Sequence, residues 1–160
     1  RYKDRPLRSI ARGDIALGSE EERKQASEAL EEKRREYGDL LACLRVHLQE
    51  QVKEVRLSSR LTSSPACLVA DEHDLTPRMQ RMLEQLGQWL PSTRPLLELN
   101  PGHPVMEKLQ RIFRESSADP RLGLYAQLLL GQAHLADSGQ VPDPAAFSAA
   151  ITDVMVRDAP

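Results

Sequence analysis

Few residues of this chain are of kinds that make or break covalent bonds, and their spacing limits what they can do. The two cysteines, Cys43 and Cys67, stand too far apart for a CxxC motif and are too few for a disulfide framework. Both read as reduced thiols of a cytoplasmic protein. Cys67, inside the apolar run Ala66–Ala70, reads as a small buried hydrophobe. An enzyme working through Cys67 or His73 is the rival reading; it requires a basic partner that depresses the thiol pKa. The cluster Asp71-Glu72-His73-Asp74 has the donor types of a metal site. Metal ligands, however, need fixed geometry from separate elements with a supporting outer layer, whereas four consecutive loop residues point in different directions. A solvated turn ahead of a helix is expected there, with no metal. His47, His103 and His134 form no ligand spacing. A Gly-rich phosphate loop, GxSxG and HExxH are all absent, and no pair of carboxylates converges. The expectation is a chain that is not itself an enzyme.

Composition narrows the partners. At 160 residues the chain accommodates one ordinary domain with a small appended piece. Apolar residues make up 40% and aromatics 4%, so the core must be aliphatic. With 29% charged residues and a net charge of −2, no global field attracts nucleic acid or anionic lipid. The apolar runs fall far short of the ~20 residues that span a bilayer. The start, RYKDRPLRSIARGD, lacks the apolar stretch of a signal peptide, and the absent initiator Met fits a fragment of a longer protein.

The elements that position these residues follow from periodicity. Residues 1–18 are poorly patterned: a strand-like piece, Leu7–Ile10, sits among basic residues. Ser19 before Glu20-Glu21-Glu22 caps a helix and suits its macrodipole. That helix is expected to run to about Glu50. Its first half is almost wholly charged, while Tyr37, Leu40, Leu41, Leu44 and Leu48 make the second half one apolar stripe anchored to a core. Gly38 at the junction is expected to mark a bend.

Val52–Leu57 alternates, with Val55 and Leu57 on one face and Glu54 and Arg56 on the other, as a half-buried strand does. Ala66–Ala70 is wholly apolar and suits a strand covered on both faces. These two are expected to form the centre of a small sheet, with Leu96–Leu99 as the third strand. Between them Thr76-Pro77 opens a helix that ends at Gly87, on which Met79, Met82, Leu83 and Leu86 fall at i, i+3, i+4 and i+7. Another helix runs from Pro104 to about Glu115, burying Val105, Leu109, Ile112 and Phe113. Asp119-Pro120 and Asp143-Pro144 open the last two, about Pro120–Asp137 and Pro144–Arg157, an antiparallel hairpin. The fold class is α+β: a small three-stranded sheet with flanking helices and a C-terminal helical hairpin.

The hairpin carries more apolar surface than a small domain is expected to bury. Leu122, Tyr125, Leu128, Leu129 and Ala133 on its first helix, and Phe147, Ile151, Val154 and Met155 on its second, are therefore assigned to a homodimer interface, a four-helix bundle.

The run SSRLTSSPACLVADEHD, the Met-bearing segment Leu75–Leu86 and LLELNPGHPVMEKL closely resemble the C-terminal domain of the HtpG family, the bacterial ninety-kilodalton heat-shock chaperones. The likeness extends in order from about Leu7 to about Val156, and its most specific parts are Arg60-Leu61-Thr62 to Cys67 and Glu98-Leu99-Asn100-Pro101. Ser63 and Trp89 depart from the family pattern without disturbing the apolar positions. The resemblance implies that 1–18 is the trailing edge of a preceding middle domain, 19–50 a connector helix and 51–160 the dimerisation domain. Residues 1–18, severed from that domain, are expected to be mobile. In the family, ATP and Mg bind in an N-terminal domain that this chain does not contain, so no cofactor is expected here. The helix matching Leu75–Leu86 contacts client proteins in the family. Leu75, Met79, Met82, Leu83, Leu86 and Trp89 are accordingly expected to bind unfolded clients, the alternative being a plain dimerisation domain. The ending MVRDAP is not the acidic pentapeptide that recruits tetratricopeptide co-chaperones.

Overall fold

The computed structural model describes residues 20–71, 74–75, 77–88 and 94–157. Residues 1–19, with the cap expected at Ser19, and Thr76 and Trp89 lie outside them. The described residues form α1 (Glu20–Leu48), β1 (Glu54–Leu57), β2 (Ala66–Val69), α2 (Pro77–Gln85), β3 (Leu96–Leu99), α3 (Pro104–Glu115), α4 (Pro120–Ser138) and α5 (Pro144–Arg157). The class is α+β, as expected.

The sheet is mixed, in the order β1-β3-β2. β1 runs parallel to β3, and β2 antiparallel to it. This corrects the expectation that β1 and β2 form the centre: all four residues of β3 are buried, and β2 is an edge. The edge strand reads as doubly covered because α4 packs along it. The alternation expected of β1 is observed: Val55 and Leu57 join Leu97, Leu99, Ala66 and Leu68 on the face that meets the helices. Against that face lie Tyr37, Leu40, Leu44 and Leu48 of α1, all 2% exposed or less. Each such aliphatic side chain removed from water contributes about 1.5–3 kcal/mol. All the buried residues of α1 lie in this later part, with Leu30 of the first half only partly covered, and the helix passes Gly38 without interruption. In α3 the fully buried residue beside Leu109 and Ile112 is Met106, whereas Val105 and Phe113 are only partly covered. The helix starts on His103, whose Nδ1 accepts from the Val105 N–H at 3.2 Å. Asp119 caps α4 through the Arg121 N–H at 2.9 Å, and Asp143 accepts from the Ala146 N–H at 2.9 Å.

α4 touches β2, α1, α3, α5 and α2. A helix covered on so many sides must be apolar on more than one of them. This accounts within a single chain for much of the apolar surface of the hairpin.

The opposite face of the sheet carries a polar row. Arg56, Glu98 and Cys67 are register partners across β1, β3 and β2. Glu98 is 1% exposed. Its Oε1 accepts from Arg56 Nη2 at 2.7 Å and Nε at 3.0 Å, and its Oε2 accepts from Arg60 Nε at 3.3 Å. Next to it the buried Asn100 donates from Nδ2 to the carbonyls of Thr62 (3.2 Å) and Ser64 (3.1 Å). Its Oδ1 accepts from the Gly102 N–H at 3.0 Å. Ser58, also buried, accepts from the N–H groups of Arg60 and Leu61 through Oγ. The loop between β1 and β2 is thus pinned to β3 and the turn after it.

Replacing Glu98 by Ala removes the shared acceptor of two arginines, both of which keep some access to water. Loss of one member of a buried pair costs several kcal/mol, and that access reduces the figure to about 2–4 kcal/mol. Urea denaturation of Glu98→Ala should show a lower midpoint and an unfolding free energy reduced by that amount, and an unchanged midpoint would remove Glu98 from this role.

Candidate functional site

α2 is nine residues long, has no acidic residue in its first turn, and sits on the rest of the fold with its polar side. Arg81 forms an ion pair with Asp137 near the end of α4. Its C-terminus is closed by Gly87 at φ 76°, with Gln88 N–H bonded to the Leu83 carbonyl at 3.1 Å and Gly87 N–H to that of Glu84 at 3.0 Å. This doubly bonded stop needs a left-handed residue, which Gly supplies at no steric cost. With the polar side inward, Met79, Met82 and Leu86 face water at 45%, 62% and 69% exposure. Leu75 and Leu83 are half-buried at the margin. A small cavity of about 200 Å³ lies under the helix, bordered by Ala70, Asp74, Arg81, Glu84, Arg94 and His134.

The hairpin presents another open surface. Of the nine residues assigned to an interface, Leu122, Tyr125, Leu129 and Ala133 are buried in the chain's own core at 0–7% exposure. All four belong to the cluster of buried side chains that also holds residues of α1 and the sheet, which leaves them little surface to offer a second copy. Leu128 is half-buried; Ile151 and Met155 are exposed, and Phe147 and Val154 partly so. α5 buries none of its residues. It rests on α4 chiefly where Phe147 lies against Gly131, at which a Cβ would overlap the phenyl ring. A groove of about 530 Å³ runs between the two helices, lined among others by Leu124, Leu130, His134, Val141 and Phe147.

The groups that could do covalent chemistry are placed elsewhere. Burial, and then the charge of Glu98, push the Cys67 thiol up to about 11, against the smaller opposing effect of Arg60. A thiol protonated at neutral pH is a poor nucleophile. Burial also raises Cys43 above its ordinary range. Of the acidic cluster, Asp71 is ion-paired with Lys53, while Glu72 and His73 lie outside the described residues. The ion pair between Arg81 and Asp137, 56 residues apart, has no signature in the sequence. The only hint of it is that Arg81 falls opposite the apolar stripe.

What the arrangement offers is apolar contact, at a helix turned outward and at a hairpin face. Known proteins of similar sequence place the chain in a family. A family model described as "Hsp90 protein" matches residues 1–159. The chain is 43% identical over 157 residues to "Chaperone protein HtpG" of Geobacter metallireducens, covering 98% of this chain and 24% of that protein. It is 45% identical over 163 residues to the protein of the same name from Nocardia farcinica, covering 98% and 25%. A third, from Rhodococcus jostii, is 41% identical over 156 residues, covering 98% and 24%. The chain belongs to the Hsp90 family of chaperones. It spans about a quarter of the length of these relatives.

His134 borders both the cavity under α2 and the hairpin groove. Its pKa lies below the ordinary 6.5, first through burial and then through Arg81, with Asp137 opposing. Because the folded state disfavours the charged imidazole relative to the unfolded chain, stability is unaffected above pH 6.5 and falls as pH drops from 6.5 through the depressed value. Urea midpoints should therefore fall more steeply on acidification below pH 6.5 in the native chain than in His134→Gln. Equal slopes would mean that His134 titrates alike in both states.

Proposed function

We propose that this chain is the dimerisation module of a cytoplasmic, ATP-dependent chaperone of the HtpG type, and that α2 contributes a surface for unfolded client polypeptides. The client reading is carried by one observation: a helix held by its polar side turns Met79, Met82 and Leu86 to water. Methionine is flexible and polarisable, and suits surfaces that accept many partners. Leu75 and Leu83 extend the stripe, and Trp89 belongs to the same assignment.

Dimerisation involves α5 and the open side of α4, where Leu128, Phe147, Ile151, Val154 and Met155 supply the apolar layer. Leu135, 41% exposed, and Val156, 71% exposed, extend it. Two copies of the hairpin form a four-helix bundle, with on the order of 1,600 Å² buried. Pairing two arms in this way raises their effective concentration for each other. ATP and Mg are bound by a part of the protein outside this chain, which itself does no catalysis. The partners in this reading are a second copy and unfolded clients; among the described residues no helix is long and apolar enough to cross a bilayer.

Met79→Ser with Met82→Ser should move the melting temperature by no more than about 2 °C, as for exposed positions, while reducing capture of carboxymethylated α-lactalbumin, a permanently unfolded probe. Core methionines would cost about 2–5 kcal/mol each, so a large fall in melting temperature would leave a plain dimerisation domain as the better reading.

Ile151→Asp with Met155→Asp should convert a light-scattering dimer into a monomer with unchanged circular dichroism. Leu129→Asp, at a site 3% exposed, should instead unfold the chain through an unpaired buried charge. A native chain that is monomeric at micromolar concentration would remove the dimer reading.

A further inference from the structure

We propose, on the basis of the reading of α2 as a client surface, that Arg78 makes that surface selective by charge. It favours apolar polypeptide segments that carry Asp or Glu over equally apolar segments that carry Lys or Arg. Met79, Met82 and Leu86 fall within an arc of about 60° on a helix that turns about 100° per residue. Arg78 stands about 70° from the middle of that arc, on its flank. It is exposed, and among the described residues it has no ion pair or hydrogen bond.

The other charges of α2 do not offset it. Arg81 lies on the inward side, neutralised by Asp137. Glu84 is roughly 170° from the middle of the stripe and borders the cavity under the helix with Arg81 and Arg94. Asp71 and Asp74 border the same cavity, and Asp71 is paired with Lys53. Arg78 also occupies the first turn, where no acidic residue answers the positive end of the helix. Among the described residues, a bound segment therefore meets apolar side chains beside one uncompensated positive charge. The chain as a whole carries −2, so any attraction for acidic segments must be local, because the global field opposes it.

The test uses the intact 160-residue chain and two synthetic peptides with the same Leu, Phe and Val spacing, one flanked by Glu and the other by Lys. Fluorescence anisotropy at low ionic strength should give about threefold to tenfold tighter binding of the Glu peptide, the range for attraction against repulsion at an exposed charge. The difference should collapse in about 0.5 M salt. Arg78→Glu should invert the order with an unchanged melting temperature. Equal affinities in the native chain, or a preference that survives Arg78→Glu, would overturn the charge selectivity alone. If Met79→Ser with Met82→Ser leaves the binding of both peptides intact, the client reading itself fails.

Discussion

A carboxylate with almost no access to water holds the sheet together. Glu98 sits on the middle strand, bonded on one side to Arg56 of the parallel neighbour and on the other to Arg60 of the loop that leads to the antiparallel one. Charge burial of this kind contributes little net stability, because desolvation offsets most of the attraction. It contributes register instead. β3 has polar Glu98 between Leu97 and Leu99, so a slip of one residue would send both leucines away from the helices and drop the carboxylate into the core. Each strand has only four residues, too short for ladder hydrogen bonds to fix the pairing unaided. The runs Arg60-Leu61-Thr62 and Glu98-Leu99-Asn100 are the two sides of this one lock, since Asn100 meets the Thr62 and Ser64 carbonyls beside the ion pairs.

With the sheet fixed, the helices divide by what covers them. α4 is apolar nearly all round, and α2 has one narrow stripe. By pattern alone, α4 is too apolar for a small domain and α2 matches ordinary core. Neighbours account for the first impression, and for α2 they favour the outward placement that the family resemblance implies over the core. β2, α1, α3 and α5 surround α4, whereas the ion pair of Arg81 turns the stripe of α2 outward. α5 differs from both, since little of it is covered by its own chain.

The sequence made the elements legible and left their mutual placement obscure. Proline after Asp, the Gly87 stop and the period of α1 located helices to within a residue or two, because caps and periodicity are local physics. The central position of β3 was not legible, since strand order depends on a pairing across about forty residues that no local pattern encodes. The burial of Leu122, Tyr125, Leu129 and Ala133 was hidden for the same reason: an apolar helix does not say whether sheet or partner covers it. Met106 was missed because Val105 and Phe113 also fit an amphipathic stripe. Exposure of Met79, Met82 and Leu86 depended on Arg81 finding Asp137 on a distant helix.

The placement of α2 has an energetic consequence for its sequence. A nine-residue helix does not hold its shape alone in water, and the stripe that normally supplies tertiary support here supplies little beyond the half-buried Leu83. Its order comes from the Gly87 stop and from the ion pair to α4, both on features other than the stripe. The residues of the stripe are thus released from the packing constraints that govern the core, where a methylene more or less is felt. They can be chosen for what they meet outside the fold. Meanwhile the turn of α4 carrying His134 borders the cavity under α2 on one side and the hairpin groove on the other. The two open surfaces therefore take their positions from the same stretch of backbone, and that stretch is held by the core behind it.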